Sequence, residues 1–221
     1  MKLPSQVRRL TAIIGNEQPE VDDTQPSRRR AKFSDDESDL ALLARIASGD
    51  RDALREIYNT YYHPLLRFIY RVTGKLDLAQ EGVNDVMMVV WRNADEFARR
   101  SSVSTWIMGI AYRKALKLLE RSRRWSDRFA SVDFDEWIER SDVAAEPSDD
   151  GDLRDLLDQA MTHLSADHRA VVELTYFYGC SYEEIAVIAG CPVNTVKTRM
   201  FHARAKLRKL LPVLGKDLPS T

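Results

Sequence analysis

The sequence predicts an all-α protein of two helical domains joined by a flexible acidic linker. Apolar residues recur every three or four positions through residues 39–124 and again through 153–210, which is the spacing of amphipathic helices. Between these two regions, residues 126–152 carry ten acidic and two basic side chains, a net charge of −8, with Pro147 and Gly151 as helix breakers. No alternating strand pattern interrupts the helical regions.

The N-terminal extension, residues 1–37, is predicted to be disordered. It mixes seven basic with seven acidic residues and three prolines and shows no sustained periodicity. The basic run Ser27–Arg30 could touch phosphate, although a solvated tail is the more common role of such a run.

The first domain, residues 38–125, should contain four helices. A helical period starts at Asp39, and Asp50 is the expected N-cap of the second helix. Pro64 predicts a kink or a restart within that helix, and Gly74 should end it. The last two helices are predicted over Asp77–Glu96 and about Thr105–Arg124.

The second domain, residues 152–215, ends in a predicted helix-turn-helix and is followed by a tail over 216–221. One helix is expected from Leu153 to Leu164, and Ser165 should cap the next. Ser181 with Glu184 has the spacing of a capping box, and "GCPV" predicts the turn before a long last helix capped by Asn194.

The last helix has a basic face, and its N-terminal end is the part that enters a DNA major groove in this motif. Six basic residues fall between positions 197 and 209 with no acid among them. Thr198, Arg199 and His202 are predicted to contact base edges, and Lys197 and Arg204 to contact phosphates. The alternative is a solvated basic helix within a bundle.

A second basic surface lies on the first domain. Residues 99–124 carry eight basic side chains against Glu120 alone, a net charge of +7. Trp106, Tyr112 and Trp125 accompany these cations, and aromatic rings beside cations suit unstacked bases. Trp106 could equally be a partly buried core residue.

Composition narrows the other possibilities. The whole chain of 221 residues has a net charge of −1, so only the distribution of charge points to nucleic acid. Cys180 and Cys191 match no zinc spacing, and neither a metal site nor a cofactor is expected. The longest apolar run, Val86–Trp91, is far below the ~20 residues that span a bilayer, so we expect a soluble cytoplasmic protein without membrane insertion.

Three segments in fixed order resemble the RNA polymerase sigma factors of the extracytoplasmic-function group of bacteria. They are "DLAQEGVNDVMMVVWRNADEF", "SSVSTWIMGIAYRKALKLLERSRR" and "LSADHRAVVELTYFYGCSYEEIAVIAGCPVNTVKTRMFHARAKL". The resemblance implies that the chain binds core RNA polymerase and promoter DNA, with the minus-ten element melted and the minus-thirty-five element read as duplex. We expect a monomer when the chain is free, because the sequence shows no evident dimer seam. It also implies an anti-sigma protein as a partner.

The resemblance assigns residues to three surfaces. For core polymerase binding they are Glu81, Asn84, Asp85, Met88 and Arg92. For the minus-ten strand they are Arg99, Arg100, Ser101, Ser102, Val103, Ser104, Trp106, Arg113 and Lys117. For the minus-thirty-five duplex they are Asn194, Thr195, Lys197, Thr198, Arg199, His202 and Arg204.

The sequence departs from the family pattern at three positions. Gly82 replaces a larger apolar residue, and glycine within a helix costs roughly 1 kcal/mol relative to alanine. Arg113 and Lys117 stand where asparagine and an acid are frequent, which bears on the minus-ten base preference.

Two other functions remain as alternatives. A stand-alone helix-turn-helix regulator would bind duplex DNA without polymerase, usually as a symmetric dimer. An enzyme is disfavoured, because the four histidines are scattered and the acids cluster in the linker, with no phosphate-binding loop or nucleophile motif.

Overall fold

The computed structural model describes residues 36–129 and 151–215, which form eight α-helices and no strand. The helices are α1 (Asp36–Ala47), α2 (Arg51–Thr73), α3 (Leu76–Asn93), α4 (Val103–Phe129), α5 (Gly151–Thr162), α6 (Ala166–Tyr176), α7 (Tyr182–Ala189) and α8 (Val193–Leu214). The all-helical fold is therefore confirmed. Residues 1–35, 130–150 and 216–221, which include most of the predicted disordered extension and acidic linker, lie outside the described residues.

Local capping chemistry ends the helices where the sequence predicted. The Asp50 carboxylate accepts the N–H groups of Asp52 at 2.9 Å and Ala53 at 3.2 Å, and Gly74 ends α2 with φ +75°. Of the kink or restart predicted at Pro64, the restart is wrong, because α2 continues through it. The Pro64 carbonyl instead accepts a hydrogen bond from the Tyr178 hydroxyl at 2.8 Å.

The first lobe is the bundle α1–α4. The apolar stripe of α3 includes Val83, Val86 and Val90, which are fully buried against α2 and α4. Gly82 lies at the closest approach of these helices, where an added Cβ would stand 3.0 Å from Ile69 Cδ1 and 3.1 Å from Leu118 Cδ1. The glycine therefore permits tight packing in this chain.

The second lobe, α5–α8, contains the helix-turn-helix as α7 and α8. Ser181 and Glu184 form the predicted capping box, with Glu184 N to Ser181 Oγ at 3.1 Å and Ser181 N to Glu184 Oε2 at 2.7 Å. The predicted N-cap at Asn194 is wrong: α8 begins at Val193, and Pro192 occupies the cap position. The fixed φ of proline, here −59°, and its carbonyl, which accepts from Thr195 N at 2.9 Å, start the helix two residues earlier than predicted.

The two lobes pack against each other. Helix α7 lies on α4 and α6 lies on α2, and the buried apolar residues of both lobes form one continuous cluster. None of the described helices is both long and apolar enough to cross a membrane. Within 36–129 and 151–215, His, Cys, Asp and Glu side chains form no group of three that could hold a metal ion.

Candidate nucleic-acid and protein interfaces

The reading face is the N-terminal part of α8 with its neighbouring cleft. Burial of Val196, Met200 and Ala203 against the lobe turns the opposite side of α8 outward. The predicted residues that are exposed on this side are Asn194, Lys197, Thr198 and His202, whereas Thr195, Arg199 and Arg204 are half-buried. The reading face therefore exposes one cation, a hydroxyl and an imidazole, which belong to Lys197, Thr198 and His202.

Arg199 is held by other side chains of the protein. Its Nη2 lies 3.3 Å from Asp167 Oδ2 and its Nη1 donates to the Tyr112 hydroxyl at 3.3 Å, so only 24% of the side chain is exposed. Arg204 similarly donates from Nε and Nη2 to the Tyr176 hydroxyl, at 3.1 and 3.0 Å. Both arginines would have to leave these partners to contact DNA.

His168 is a further residue of the reading face that was not predicted from the sequence. It lines a cleft of about 320 Å³ with Thr198, Arg199 and His202, and its ring centroid lies 6.2 Å from that of His202. Burial is the main cause that lowers the pKa of His168 below its ordinary value, and the charge of His202 is the second. Only the packing of α6 on α8 brings it there, so no local pattern could have indicated it.

The strand face comprises the loop 98–102 and the exposed cations of α4. Ser102 caps α4, since its Oγ accepts from Thr105 N at 3.1 Å and contacts Ser104 Oγ at 2.9 Å. Arg99 and Arg100 are exposed, and Arg99 has φ +54°, a left-handed backbone that is uncommon outside glycine. The N–H groups of Val103 and Thr105 at this helix end are already bound, by Asp36 Oδ1 at 2.9 Å and by Ser102 Oγ, so the two exposed arginines are the groups of this loop that can attract phosphate.

The remaining residues predicted for the strand face divide into exposed and supporting side chains. Arg113 and Lys117 are exposed on α4. Trp106 is half-buried and packs on Phe97, with ring centroids 5.3 Å apart. Val103 is fully buried and belongs to the core, so it supports the loop and offers no contact surface.

The docking face is the outward side of α3. Asn84, Met88 and Arg92 are exposed there, Met88 to 48%. The two acids predicted beside them already have partners on α4: Glu81 Oε2 lies 2.5 Å from Arg121 Nη2, and Asp85 Oδ2 lies 2.9 Å from Lys114 Nζ. These pairs join α3 to α4 along a groove of about 430 Å³ that Arg124 and Trp125 also line.

A helix-turn-helix on one lobe and a capped basic loop on the other define an all-helical DNA-binding protein. Family models agree with this class: "Sigma-70 region 2" matches residues 57–125 and "Sigma-70, region 4" matches residues 154–207. The chain belongs to the sigma-70 family of RNA polymerase sigma factors, in its extracytoplasmic-function (ECF) group.

Named relatives place the similarity over most of the chain. The RNA polymerase sigma-H factor of Pseudomonas aeruginosa is 31% identical over 188 residues, 82% of this chain and 97% of the relative. The ECF RNA polymerase sigma factor SigK of Mycobacterium tuberculosis is 29% identical over 178 residues, 80% of this chain and 95% of the relative.

Two solved structures share the fold. The sigma factor RpoE of Bartonella quintana, crystallised with the anti-sigma factor NepR, is 29% identical with a TM-score of 0.58, and the match covers 72% of this chain and 96% of that one. CnrH, in complex with the cytosolic domain of CnrY, has a TM-score of 0.58 at 22% identity over 80% of this chain and 98% of that one, which supports the fold alone.

Proposed function

We propose that this sigma factor joins core RNA polymerase through the docking face of α3 and directs initiation at promoters. The reading face contacts the minus-thirty-five element as duplex, and the strand face holds the non-template strand of the melted minus-ten element. Membership of the sigma factor family favours this function over a stand-alone regulator. The chain needs no chemistry of its own for these roles.

The observation that carries the proposal is the placement of two unlike DNA-facing surfaces on separate lobes. The reading face sits at the N-terminus of a helix of 22 residues, a shape that fits a major groove. The strand face is a short loop with exposed Arg99 and Arg100 beside a partly buried tryptophan, a shape that fits a single strand. A protein that binds one promoter element as duplex and the other as a single strand needs both kinds of surface.

An anti-sigma protein is the second partner we propose. Support comes from the sigma factor RpoE of Bartonella quintana, which is 29% identical to this chain and was crystallised with the anti-sigma factor NepR. Met88 and the loop cations are exposed here, so a partner that covers them would block both polymerase and DNA.

The test of the docking face is binding of the purified chain to core polymerase with transcription from a promoter mapped after overexpression. Charge reversal at Glu81 or Asp85 would also break their pairs with α4, so Met88→Glu is the sharper variant. We expect it to weaken core binding by about tenfold or more, because a charge replaces an apolar contact at an interface centre. Val187→Glu, at an apolar residue of the second lobe that is 56% exposed, is the matched control and should bind like wild type. Equal binding by the two variants would rule out the docking face.

The test of the reading face is Lys197→Ala against Lys209→Ala. Both lysines are exposed on α8, but Lys209 lies twelve residues further along the helix, about 18 Å away. Loss of one phosphate contact should reduce the slope of log K against log salt by about 0.9 for Lys197→Ala, without changing sequence preference. If Lys209→Ala has the larger effect, the C-terminal part of α8 faces the DNA.

A further inference from the structure

The charges of the N-terminal extension fall into two blocks of opposite sign. Residues 16–23 carry four acidic and no basic side chains, whereas residues 24–34 carry four basic and no acidic side chains, a net charge of +4. The four cations are Arg28, Arg29, Arg30 and Lys32, and we call residues 28–32 the basic segment. The basic segment belongs to none of the three candidate surfaces.

The chain passes from the basic segment directly to the strand face. Four residues after Lys32, helix α1 begins at Asp36, whose carboxylate accepts the backbone N–H of Val103 at 2.9 Å. Val103 is the first residue of α4 and follows the loop 98–102, which carries the exposed arginines of the strand face. A contact between residues 67 positions apart therefore joins the start of α1 to this loop.

Helix α1 is held in the first lobe, so its first residue is a fixed point beside the loop. The Asp39 carboxylate accepts the Tyr61 hydroxyl of α2 at 2.5 Å, and both side chains are buried. Leu43 and Ile46 of α1 are also buried and belong to the core. The backbone at Asp36 cannot move away from the loop unless α1 unpacks.

Chain length limits how far the basic segment extends from this fixed point. An extended chain spans at most ~3.6 Å per residue, so Lys32 must lie within roughly 14 Å of Asp36, and Arg28 within roughly 29 Å. Phosphates are about 3.4 Å apart along one strand of a duplex, so the larger distance covers about eight of them. The four cations are therefore confined to the neighbourhood of Arg99 and Arg100.

We propose that the basic segment is a further DNA-binding element of this chain, whose cations bind phosphates of the opened strand next to those bound by Arg99 and Arg100. The proposal rests on the proposed function. It adds a part of the chain that precedes the match to sigma-70 region 2 at residues 57–125. Attachment to α1 favours the strand face over the reading face, because α1 packs on α2, α3 and α4 of the first lobe.

The composition of the basic segment suits a single strand of DNA. Each cation that neutralises a phosphate releases condensed counterions, which favours binding at low salt. Three of the four cations are arginines, whose planar guanidinium groups donate two parallel N–H groups to a phosphate. Phe33 follows the cations directly, and aromatic rings stack on unpaired bases in single-strand sites.

The main test compares two double substitutions that each remove two arginines from the N-terminal extension. Arg29→Ala with Arg30→Ala removes half of the charge of the basic segment. Arg8→Ala with Arg9→Ala removes the same charge far from α1 and is the matched control. Both pairs precede the described helices, so core polymerase binding and the circular dichroism spectrum should equal those of wild type.

Holoenzyme of each variant is titrated with a fork-junction DNA of the mapped promoter, duplex upstream and single-stranded over the minus-ten element. Arg29→Ala with Arg30→Ala should weaken binding about three- to tenfold. It should also reduce the slope of log K against log salt by about 1.4, since each phosphate contact to a single strand contributes about 0.7. The control pair should match wild type. Equal effects of the two pairs, or no effect of the first, would overturn the proposal.

Two further measurements locate the contact. On a duplex that ends upstream of the minus-ten element, wild type and both variants should bind equally. A loss for the Arg29 and Arg30 variant there as large as on the fork would reject the place of the basic segment at the strand face. A benzophenone amino acid at Ala31 should crosslink to the non-template strand at the minus-ten element, whereas one at Ala12 should not. Crosslinks from position 31 to protein alone would contradict the proposal.

Failure of this proposal is distinguishable from failure of the proposed function. If the wild-type chain does not join core polymerase or start transcription, the proposed function is rejected and this proposal with it. If wild-type holoenzyme opens the promoter and the variant lacking Arg29 and Arg30 binds the fork as tightly, only the role of the basic segment is rejected.

Discussion

At the scale of single residues, the most unusual group is the carboxylate of Glu173 on α6. It is 0% exposed, and neither of its oxygens has a hydrogen-bond partner among the described residues. Arg71 Nε of α2 lies 3.8 Å from Oε1, and Arg67 and Arg169 also act on it by charge. Burial outweighs these three cations and raises the pKa of Glu173 to about 7 from 4.5.

The pH dependence of stability follows from this shift. The folded protein binds a proton at Glu173 more tightly than the unfolded chain, so the stabilisation is fully present below pH 4.5 and is lost as the pH rises through about 7. The free energy of unfolding of wild type should fall between pH 5 and pH 8. For Glu173→Gln, which cannot titrate at this position, we expect that fall to be smaller by about 1–3 kcal/mol. Urea unfolding at both pH values checks this. The other titrating groups cancel in the comparison, so identical pH profiles would show that Arg71 keeps the carboxylate charged.

Residue-scale signals also show what the sequence can and cannot predict. Asp50, Ser165 and the Ser181–Glu184 pair were found because a cap and its N–H partners lie within three residues of each other. His168 was missed, since the cleft that makes it relevant is assembled from two helices. Contacts between residues a few positions apart could be predicted from the sequence, whereas contacts made by the packing of separate helices could not.

At the scale of the elements, Gly82 explains a departure from the family pattern. The sequence suggested a helix weakened by glycine, but the structure places that glycine where α3 meets side chains of α2 and α4 at 3.0–3.1 Å from an added Cβ. Gly82 lowers the helix propensity of α3, but it allows α2, α3 and α4 to pack more closely.

Substitution at Gly82 should separate these effects. Gly82→Leu should lower the free energy of unfolding by about 1–3 kcal/mol, because four extra carbons cannot fit between Ile69 and Leu118. Gly82→Ala should stay within ~1 kcal/mol of wild type, since the gain in propensity offsets small shifts of two flexible side chains. Asn84→Leu, exposed on the same helix, controls for the added apolar group. The measurement is the urea midpoint, and a wild-type midpoint for Gly82→Leu would contradict the tight packing.

The elements themselves were predictable, with errors at their ends. Periodicity located all eight helices, but α4 runs to Phe129, beyond the predicted end at Arg124, and α8 starts before Asn194. In the last turns of α8, Leu211 is buried, although the apolar spacing from Val196 through Leu207 predicts Leu210 at this place. A helix of 22 residues accumulates phase error when its period is counted from one end, which displaces the predicted face by one residue.

At the scale of the whole molecule, the sequence predicted two domains and gave no sign that they share a core. Tyr112 and Asp167 are 55 positions apart, and Pro64 and Tyr178 are 114 apart, so each contact brings distant segments together across the acidic region. A periodic pattern shows which face of a helix is apolar, but it does not show which other helix that face packs against. The first lobe's Tyr112 was therefore expected to face bases, and it faces the second lobe.

The continuous core predicts cooperative unfolding. All four tryptophans precede residue 151, so the second lobe contains no tryptophan and tryptophan fluorescence does not report its unfolding directly. Circular dichroism reports the helix content of both lobes. We expect the two signals to coincide in urea for wild type, as a single transition requires. Gly109 of α4 lies against α7, where an added Cβ would stand 3.6 Å from the carbonyl oxygen of Ile188, so the phenyl ring of Gly109→Phe should push the lobes apart. In this variant the two signals should separate, with distinct midpoints for the two lobes. Separate midpoints already in wild type would show that the lobes unfold independently.

The α2–α6 contact carries one more consequence, for where variants that loosen the molecule should map. Pro64, Arg71 and Tyr178 lie on none of the three surfaces proposed for DNA or polymerase, yet they help to hold the two lobes together. A substitution there that leaves each lobe folded should let the lobes move apart more easily without altering any side chain of those surfaces. At these positions the attachment of the lobes can therefore be changed separately from the groups that bind partners.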